Sequence, residues 1–111
     1  MAAGAATLTA EQLQRIRDRT YVVGVLGMGY VGLPLALAAV RAGFRVIGFD
    51  VDLERVENLN AGRSQIRHIP SDDVKEACAT GRFSATAQFD RLGEADGLLI
   101  AVPTPLTKQR E

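Results

Sequence analysis

Apolar positions along this chain gather into short runs, separated by stretches in which they recur every three or four residues. The runs at about 22–26 and 45–49 and the continuous one at 97–102 each have the length of a single strand, and a further short strand is expected around Phe83 to Ala87. The last of these runs, Gly97-Leu98-Leu99-Ile100-Ala101-Val102, has no polar alternation, as expected of a buried parallel strand. Between them the spacing predicts helices. One spans about 31–42, with Leu33, Leu35, Leu37 and Val40 covering much of its surface, and Pro34 sits in its first turn, where a missing N–H does no harm. A second spans about 53–61, capped by Asp52, stopped by Gly62 and buried through Val56 and Leu59. A third spans about 72–80 and ends at Gly81. Ser71-Asp72-Asp73 opens it with carboxylates suited to the positive end of the helix dipole. A short helical or turn segment is expected at 90–95. Residues 1–8 are rich in Ala and Gly and are expected to be disordered. Thr9-x-x-Gln12 fits a capping box, followed by a short Leu13/Ile16 stripe, with Arg15, Arg17 and Arg19 read as a solvated face.

The junction between the first strand and the first long helix carries chemistry. Gly27, Gly29 and Gly32 fall at the spacing G-x-G-x-x-G, between a strand and a helix, as a dinucleotide fingerprint requires. Gly27 makes the tight turn, Gly29 lets a pyrophosphate approach the backbone, and Gly32 lets the helix pack closely. Free N–H groups and the helix dipole then face the phosphates. The second strand ends in Asp50, 18 residues after Gly32, near the ~20 expected of the acid that holds the adenosine ribose hydroxyls. A carboxylate there accepts from the 2′-hydroxyl and repels a 2′-phosphate, favouring NAD over NADP. The competing reading, that Asp50 only caps the next helix, is weakened because Asp52 fills that role better. The alternation of strands and helices predicts an α/β fold, a Rossmann-type doubly wound parallel sheet. It is incomplete, with strand order 3-2-1-4 and an N-terminal helical extension. The extension is residues 1–20 and the partial NAD-binding domain residues 21–111. Ligands of such sheets bind beyond the carboxyl ends of the strands, so Thr104 is placed to touch the cofactor.

Leu26-Gly27-Met28-Gly29-Tyr30-Val31-Gly32-Leu33-Pro34, Gly48-Phe49-Asp50 and Val102-Pro103-Thr104-Pro105 together resemble the N-terminal domain of the UDP-glucose/GDP-mannose dehydrogenase family. Asn60-Ala61-Gly62, Ile66-Arg67-His68-Ile69-Pro70 and Pro103-Thr104-Pro105-Leu106 look most like its UDP-N-acetylglucosamine 6-dehydrogenase branch. The resemblance implies an NAD-dependent enzyme that oxidises the C6 alcohol of a nucleotide sugar to a carboxylate in two hydride transfers, supplying polysaccharide precursors. It implies that Tyr30 and Val31 offer backbone N–H groups to the pyrophosphate and that Asp50 holds the ribose. Arg55, in D-x-D-x-x-R, would lie near the adenosine, and Thr104 at the nicotinamide side. The family's catalytic cysteine lies in a G-G-x-C-x-P motif that this chain lacks. The expectation is therefore a cofactor-binding portion, inactive alone, from an enzyme that takes a UDP-sugar and is a homo-oligomer. A stand-alone nucleotide-binding module, or a Rossmann dehydrogenase of the 6-phosphogluconate type, are the alternatives; the Y-V-G-L-P and V-P-T-P runs argue against the latter.

Composition narrows the partners. Thirteen basic and thirteen acidic side chains balance, so no broad field attracts nucleic acid or an anionic membrane. No apolar run approaches the ~20 residues of a membrane span. Met1 to Ala6 lack a basic n-region, and a cytoplasmic location is the default. The single cysteine, Cys78, cannot form a disulfide within the chain, and it has no nucleophile motif around it. It reads as a small packing residue, and no catalytic or metal site is expected. His68 reads as a loop histidine, although its loop should lie toward the cofactor.

Overall fold

The computed structural model describes residues 9–101. Its elements follow in order: α1 (Ala10–Asp18), β1 (Val22–Leu26), α2 (Gly32–Arg41), β2 (Arg45–Phe49), α3 (Leu53–Asn60), α4 (Ser71–Ala79), β3 (Phe83–Thr86), a 3₁₀ segment (Phe89–Glu94) and β4 (Gly97–Ile100). The four strands form one parallel sheet in the order β3-β2-β1-β4. The expected 3-2-1-4 order and the α/β class are therefore what the chain adopts. β1 lies between β2 and β4, the point at which the strand order reverses.

Glycine punctuation fixes where the helices end. Gly43, Gly62 and Gly81 have φ of 100°, 81° and 76°, a region glycine enters without steric cost. Asp52 caps α3 by accepting from the Arg55 N–H, so the carboxylate two residues earlier is free for another use. α1 begins with the predicted box, Thr9 and Gln12 each accepting from the other's backbone N–H. α4 departs in detail. Pro70 occupies its cap position, and Ser71 Oγ accepts instead from the Ser64 N–H, tying down the α3–α4 connection.

The core runs along the face of the sheet under α2, α3 and α4. It joins Val25, Leu33, Leu37, Val40, Val46, Val56, Leu59, Val74 and Phe83. Ile66 and Ile69 anchor the α3–α4 connection into the same core. Of the residues expected to cover α2, Leu33, Leu37 and Val40 are buried and Leu35 is 41% exposed. Ile47 and Phe49 point to the other side of β2, where Phe49 meets the ring of Phe89 at 5.7 Å. β4 is less covered: Leu98, Leu99 and Ile100 keep 45%, 43% and 73% of their surface exposed.

The expected solvated arginine face of α1 needs correction. Arg15 pairs with Asp96 at 2.6 Å and also donates to the Thr20 carbonyl. Arg19 donates through Nε to the Ala42 carbonyl and lies over the Phe44 ring at 5.4 Å. α1 is thus clasped to the ends of β4 and α2, because long guanidinium side chains reach acceptors that sequence spacing does not reveal. Arg17 and Arg19 are both exposed, as expected, and neither makes an ion pair among the described residues; Arg15 is the one drawn into the fold. Residues 1–8 and Val102, Pro103, Thr104 and Pro105 lie outside the described residues.

Candidate cofactor site

Everything of interest collects at the carboxyl end of the central strands. β1 ends at Leu26, and Gly27 turns the chain at φ 95° while donating its N–H to the Phe49 carbonyl at 2.7 Å. The turn is therefore stitched to the end of β2. A Cβ on Gly32 would collide with the Gly27 carbonyl, so α2 starts as close to the turn as backbone can approach backbone. The sequence reading gave Gly32 a helix–strand contact; its tightest contact is with this turn.

α2 begins without a side-chain cap and without an acid in its first turn. Among the described residues, nothing accepts from the N–H groups of Gly29, Tyr30 or Val31. Tyr30 and Val31 carry exposed side chains, and the Tyr30 ring stacks on His68 with centroids 5.8 Å apart and planes inclined by 15°.

Asp50 follows β2 and is only 7% exposed. Its Oδ2 accepts from the Met28 N–H at 2.9 Å and from Arg55 Nη1 at 3.2 Å, and its Oδ1 accepts from the Asp52 N–H at 2.9 Å. Burial pushes the Asp50 carboxyl up, but the Met28 and Asp52 N–H groups and the Arg55 guanidinium outweigh it. The carboxyl is held below its ordinary value and is anionic at neutral pH. Arg55 Nη1 also lies 3.9 Å from where a Cβ on Gly29 would be, so the guanidinium spans the gap between the glycine turn and Asp50. Its Nε is buried with no acceptor among the described residues.

These groups line a cavity of about 680 Å³, walled by Gly27, Gly29, Tyr30, Val31, Asp50 and Arg55 and, on its apolar sides, by Val51, Phe89 and Ile100. Seven of the eight residues singled out from the sequence are thus gathered at one place: six line the cavity and Gly32 closes the turn behind it. The eighth, Thr104, lies outside the described residues.

Sequence reasoning missed Met28. Its side chain is fully buried and its N–H is a main support of Asp50. A Cβ on Gly48 would lie 2.6 Å from Met28 Sδ. The signal was present in the sequence as a glycine inside a strand, which marks close approach of another group. Phe89 was also missed, since an aromatic in a short turn segment carries no periodic signature.

Cys78 is elsewhere. Its thiol donates to the Leu59 carbonyl at 3.3 Å, and burial pushes it up from its ordinary range, so it sits protonated against α3 and does not line the cavity. Among the described residues, no group of three or more His, Cys, Asp or Glu side chains is arranged to hold a metal, and no helix is long and apolar enough to cross a membrane.

A glycine turn at the sheet's reversal point, unclaimed helix N–H groups and an anionic acid at the end of the next strand form one arrangement. Over residues 21–111 the sequence matches the UDP-glucose/GDP-mannose dehydrogenase family, NAD binding domain. The chain belongs to that family. Its domain takes NAD, and the site just described fits it: N–H donors for phosphate, a carboxylate acceptor for hydroxyls, and an orphaned guanidinium donor. A UDP-N-acetyl-D-mannosamine dehydrogenase of Yersinia pestis is 36% identical over 89 residues, covering 80% of this chain and 21% of the relative. One from Pyrococcus horikoshii is 32% identical over 89 residues, covering 77% and 21%. Among solved structures, the GDP-mannose dehydrogenase of Pseudomonas aeruginosa superposes with a TM-score of 0.75 at 31% identity, covering 80% of this chain and 21% of that one. The chain therefore spans about a fifth of the length of the relatives it matches.

Proposed function

We propose that this chain is the cofactor-binding portion of an NAD-dependent nucleotide-sugar 6-dehydrogenase. The observation that carries the reading is the cluster of N–H groups at Gly29, Tyr30 and Val31, unclaimed among the described residues and lining one cavity with the anionic Asp50. Together they match a dinucleotide's two recognition needs, a pyrophosphate on a helix N-terminus and a ribose on a carboxylate. In this reading Gly27, Gly29 and Gly32 shape the turn and the backbone of Tyr30 and Val31 holds the pyrophosphate. Asp50 accepts from the ribose hydroxyls, Arg55 borders the adenosine, and Thr104 meets the nicotinamide side. Bound NAD supplies the hydride acceptor; the chain's own residues bind and orient it.

The substrate of the whole enzyme is a UDP-sugar, and the Asn60-Ala61-Gly62 and Ile66–Pro70 segments favour UDP-N-acetylglucosamine. The relatives named above act on other sugars by their names, N-acetylmannosamine and GDP-mannose. The whole enzyme works in the cytoplasm as a homo-oligomer. The 111 residues bind NAD without oxidising the sugar, since their sole cysteine is protonated and packed on α3.

Calorimetry with NAD, followed by NADH absorbance with UDP-N-acetylglucosamine, tests this. Saturable NAD binding without NADH production is expected. An absence of NAD binding by the folded chain would overturn the binding role, and NADH production abolished by Cys78→Ser would overturn the inactivity.

A further inference from the structure

The glycine turn has a neighbour that the fingerprint does not include. His68 lies in the α3–α4 connection, between Ile66 and Ile69, which are 7% and 8% exposed. Both isoleucines belong to the core, and Ser64 Oγ and Ser71 Oγ each accept a backbone N–H of the same connection. The connection is therefore fixed at two apolar anchors, and the residues between them, Arg67 and His68, turn outward. His68 meets the ring of Tyr30 in near-parallel stacking, at a centroid distance within the favourable range for aromatic pairs.

Tyr30 needs such a partner. The residue is 68% exposed, and its backbone belongs to a turn containing Gly27 and Gly29, which are entropically costly to hold in one conformation. The N–H groups of Gly29, Tyr30 and Val31 must point together if they are to grip one anion. α2 supplies no side-chain cap to hold them. Asp50 holds the turn at the Met28 N–H, and the stack on His68 ties the next part of it, at Tyr30, to a fixed connection of the fold.

We infer that His68 is a positioning residue of the cofactor site: by stacking on Tyr30 it preorganises the turn that receives the pyrophosphate of a dinucleotide. The inference rests on the NAD reading above. It predicts that the ring itself matters, so an aromatic replacement keeps the function and a small side chain loses it.

His68 is the only histidine in the chain, so its ring protons are a unique reporter in proton NMR. Saturating NAD should move those resonances in the full 111-residue chain. By calorimetry, His68→Ala should weaken NAD binding about two- to tenfold, the worth of one aromatic pair. His68→Phe should return the affinity to within about twofold of the original. Tyr30→Ala should cost as much as His68→Ala, and the double variant no more than either, as coupled partners require. If the original chain binds NAD while its His68 resonances stay still and His68→Ala binds equally well, the inference falls and the NAD reading stands. If His68→Phe is as weak as His68→Ala, the imidazole acts directly and positioning through Tyr30 is wrong. If the folded original chain does not bind NAD, both readings fall together.

Discussion

Asp50 and Asp96 stand at opposite ends of the sheet and are held in much the same way. Each accepts a backbone N–H from the β1 segment, Asp50 from Met28 just after the strand and Asp96 from Val22 at its start, at 2.9 and 2.7 Å. Each meets one arginine, Arg55 at 3.2 Å and Arg15 at 2.6 Å. Both are held below the ordinary carboxylate range, Asp50 against its burial and Asp96 chiefly by the Val22 N–H. The difference lies in what surrounds them. The backbone of Asp96 also serves β1, its N–H donating to the Val22 carbonyl and its carbonyl accepting from the Tyr21 hydroxyl. Its polar groups close a knot joining α1, β1 and β4. Asp50 instead lines a cavity beside N–H groups and an Arg55 Nε that have no partner among the described residues. A depressed carboxyl therefore reports tight pairing, and only the unspent groups around it separate a binding site from a structural tie.

The largest effect should come from a change that touches neither carboxylate. Gly32→Ala drives a Cβ into the Gly27 carbonyl, forcing α2 and the turn apart. Overpacking of this kind costs about 1–3 kcal/mol of stability. Displacing the N–H groups from the pyrophosphate should lower NAD affinity by about a hundredfold, the upper end of what a hydrogen bond to a charged group contributes. The Asp96 knot, at the far end of β1, should survive, with the Tyr21 and Val22 amide resonances unmoved. Unchanged NAD binding in this variant would remove the turn from the site.

The two carboxylates can then be separated directly. Asp50→Ala should weaken NAD binding by about 1.5–3 kcal/mol, the scale of a hydrogen bond to a charged group. It should also narrow the preference over NADP. Asp96→Ala should lower stability by about 1–2 kcal/mol, discounted because its ion pair is partly exposed, and leave NAD affinity alone. Calorimetry and urea unfolding of both variants decide the matter. Equal losses of NAD affinity would erase the contrast on which the site assignment rests.

Arg55 offers a smaller, finer test. It offsets the charge of Asp50 at 3.2 Å, so removing it leaves the carboxylate uncompensated toward a 2′-phosphate. Arg55→Ala should weaken NADP binding more than NAD binding, the difference being about 1 kcal/mol. Measured affinities for the two cofactors that fall in parallel would show that Arg55 takes no part in choosing between them.

Much of this was legible before any coordinates. β1, β2 and β4 were readable as short, mainly apolar runs, and the ends of α2, α3 and α4 because Gly43, Gly62 and Gly81 stand just beyond them. Asp50 and the glycine turn were readable because local spacing alone brings a turn and the end of the next strand together. What stayed hidden was pairing between distant residues. Arg15 and Asp96 are 81 positions apart, and no periodicity predicts that they meet. Met28 was hidden for a related reason: its role depends on Gly48 leaving room in another strand. The stack of Tyr30 on His68 belongs to the same class, two exposed rings from separate connections.

The smallest effects should be in acid, where the two carboxylates again part company. Both have folded values below the ordinary ~3.9 of an aspartate, so both bind a proton more readily in the unfolded chain. Their contribution to stability is therefore full at neutral pH. It begins to fade as pH falls through the unfolded value and is gone once pH has fallen through the lower folded value. In that window each group steepens the acid limb by up to about 1.4 kcal/mol per pH unit. Asp50→Asn and Asp96→Asn should each flatten this limb in urea unfolding, because either variant removes one titrating group. NAD affinity should behave differently. In the original chain and in Asp96→Asn it should be level through neutral pH and decline only below the ordinary carboxylate range, as protonation takes the ribose acceptor away. In Asp50→Asn, weaker throughout, that decline should be absent. An identical decline in both variants would mean that acid acts on the fold as a whole, and that protonation of Asp50 has no separate hold on the cofactor.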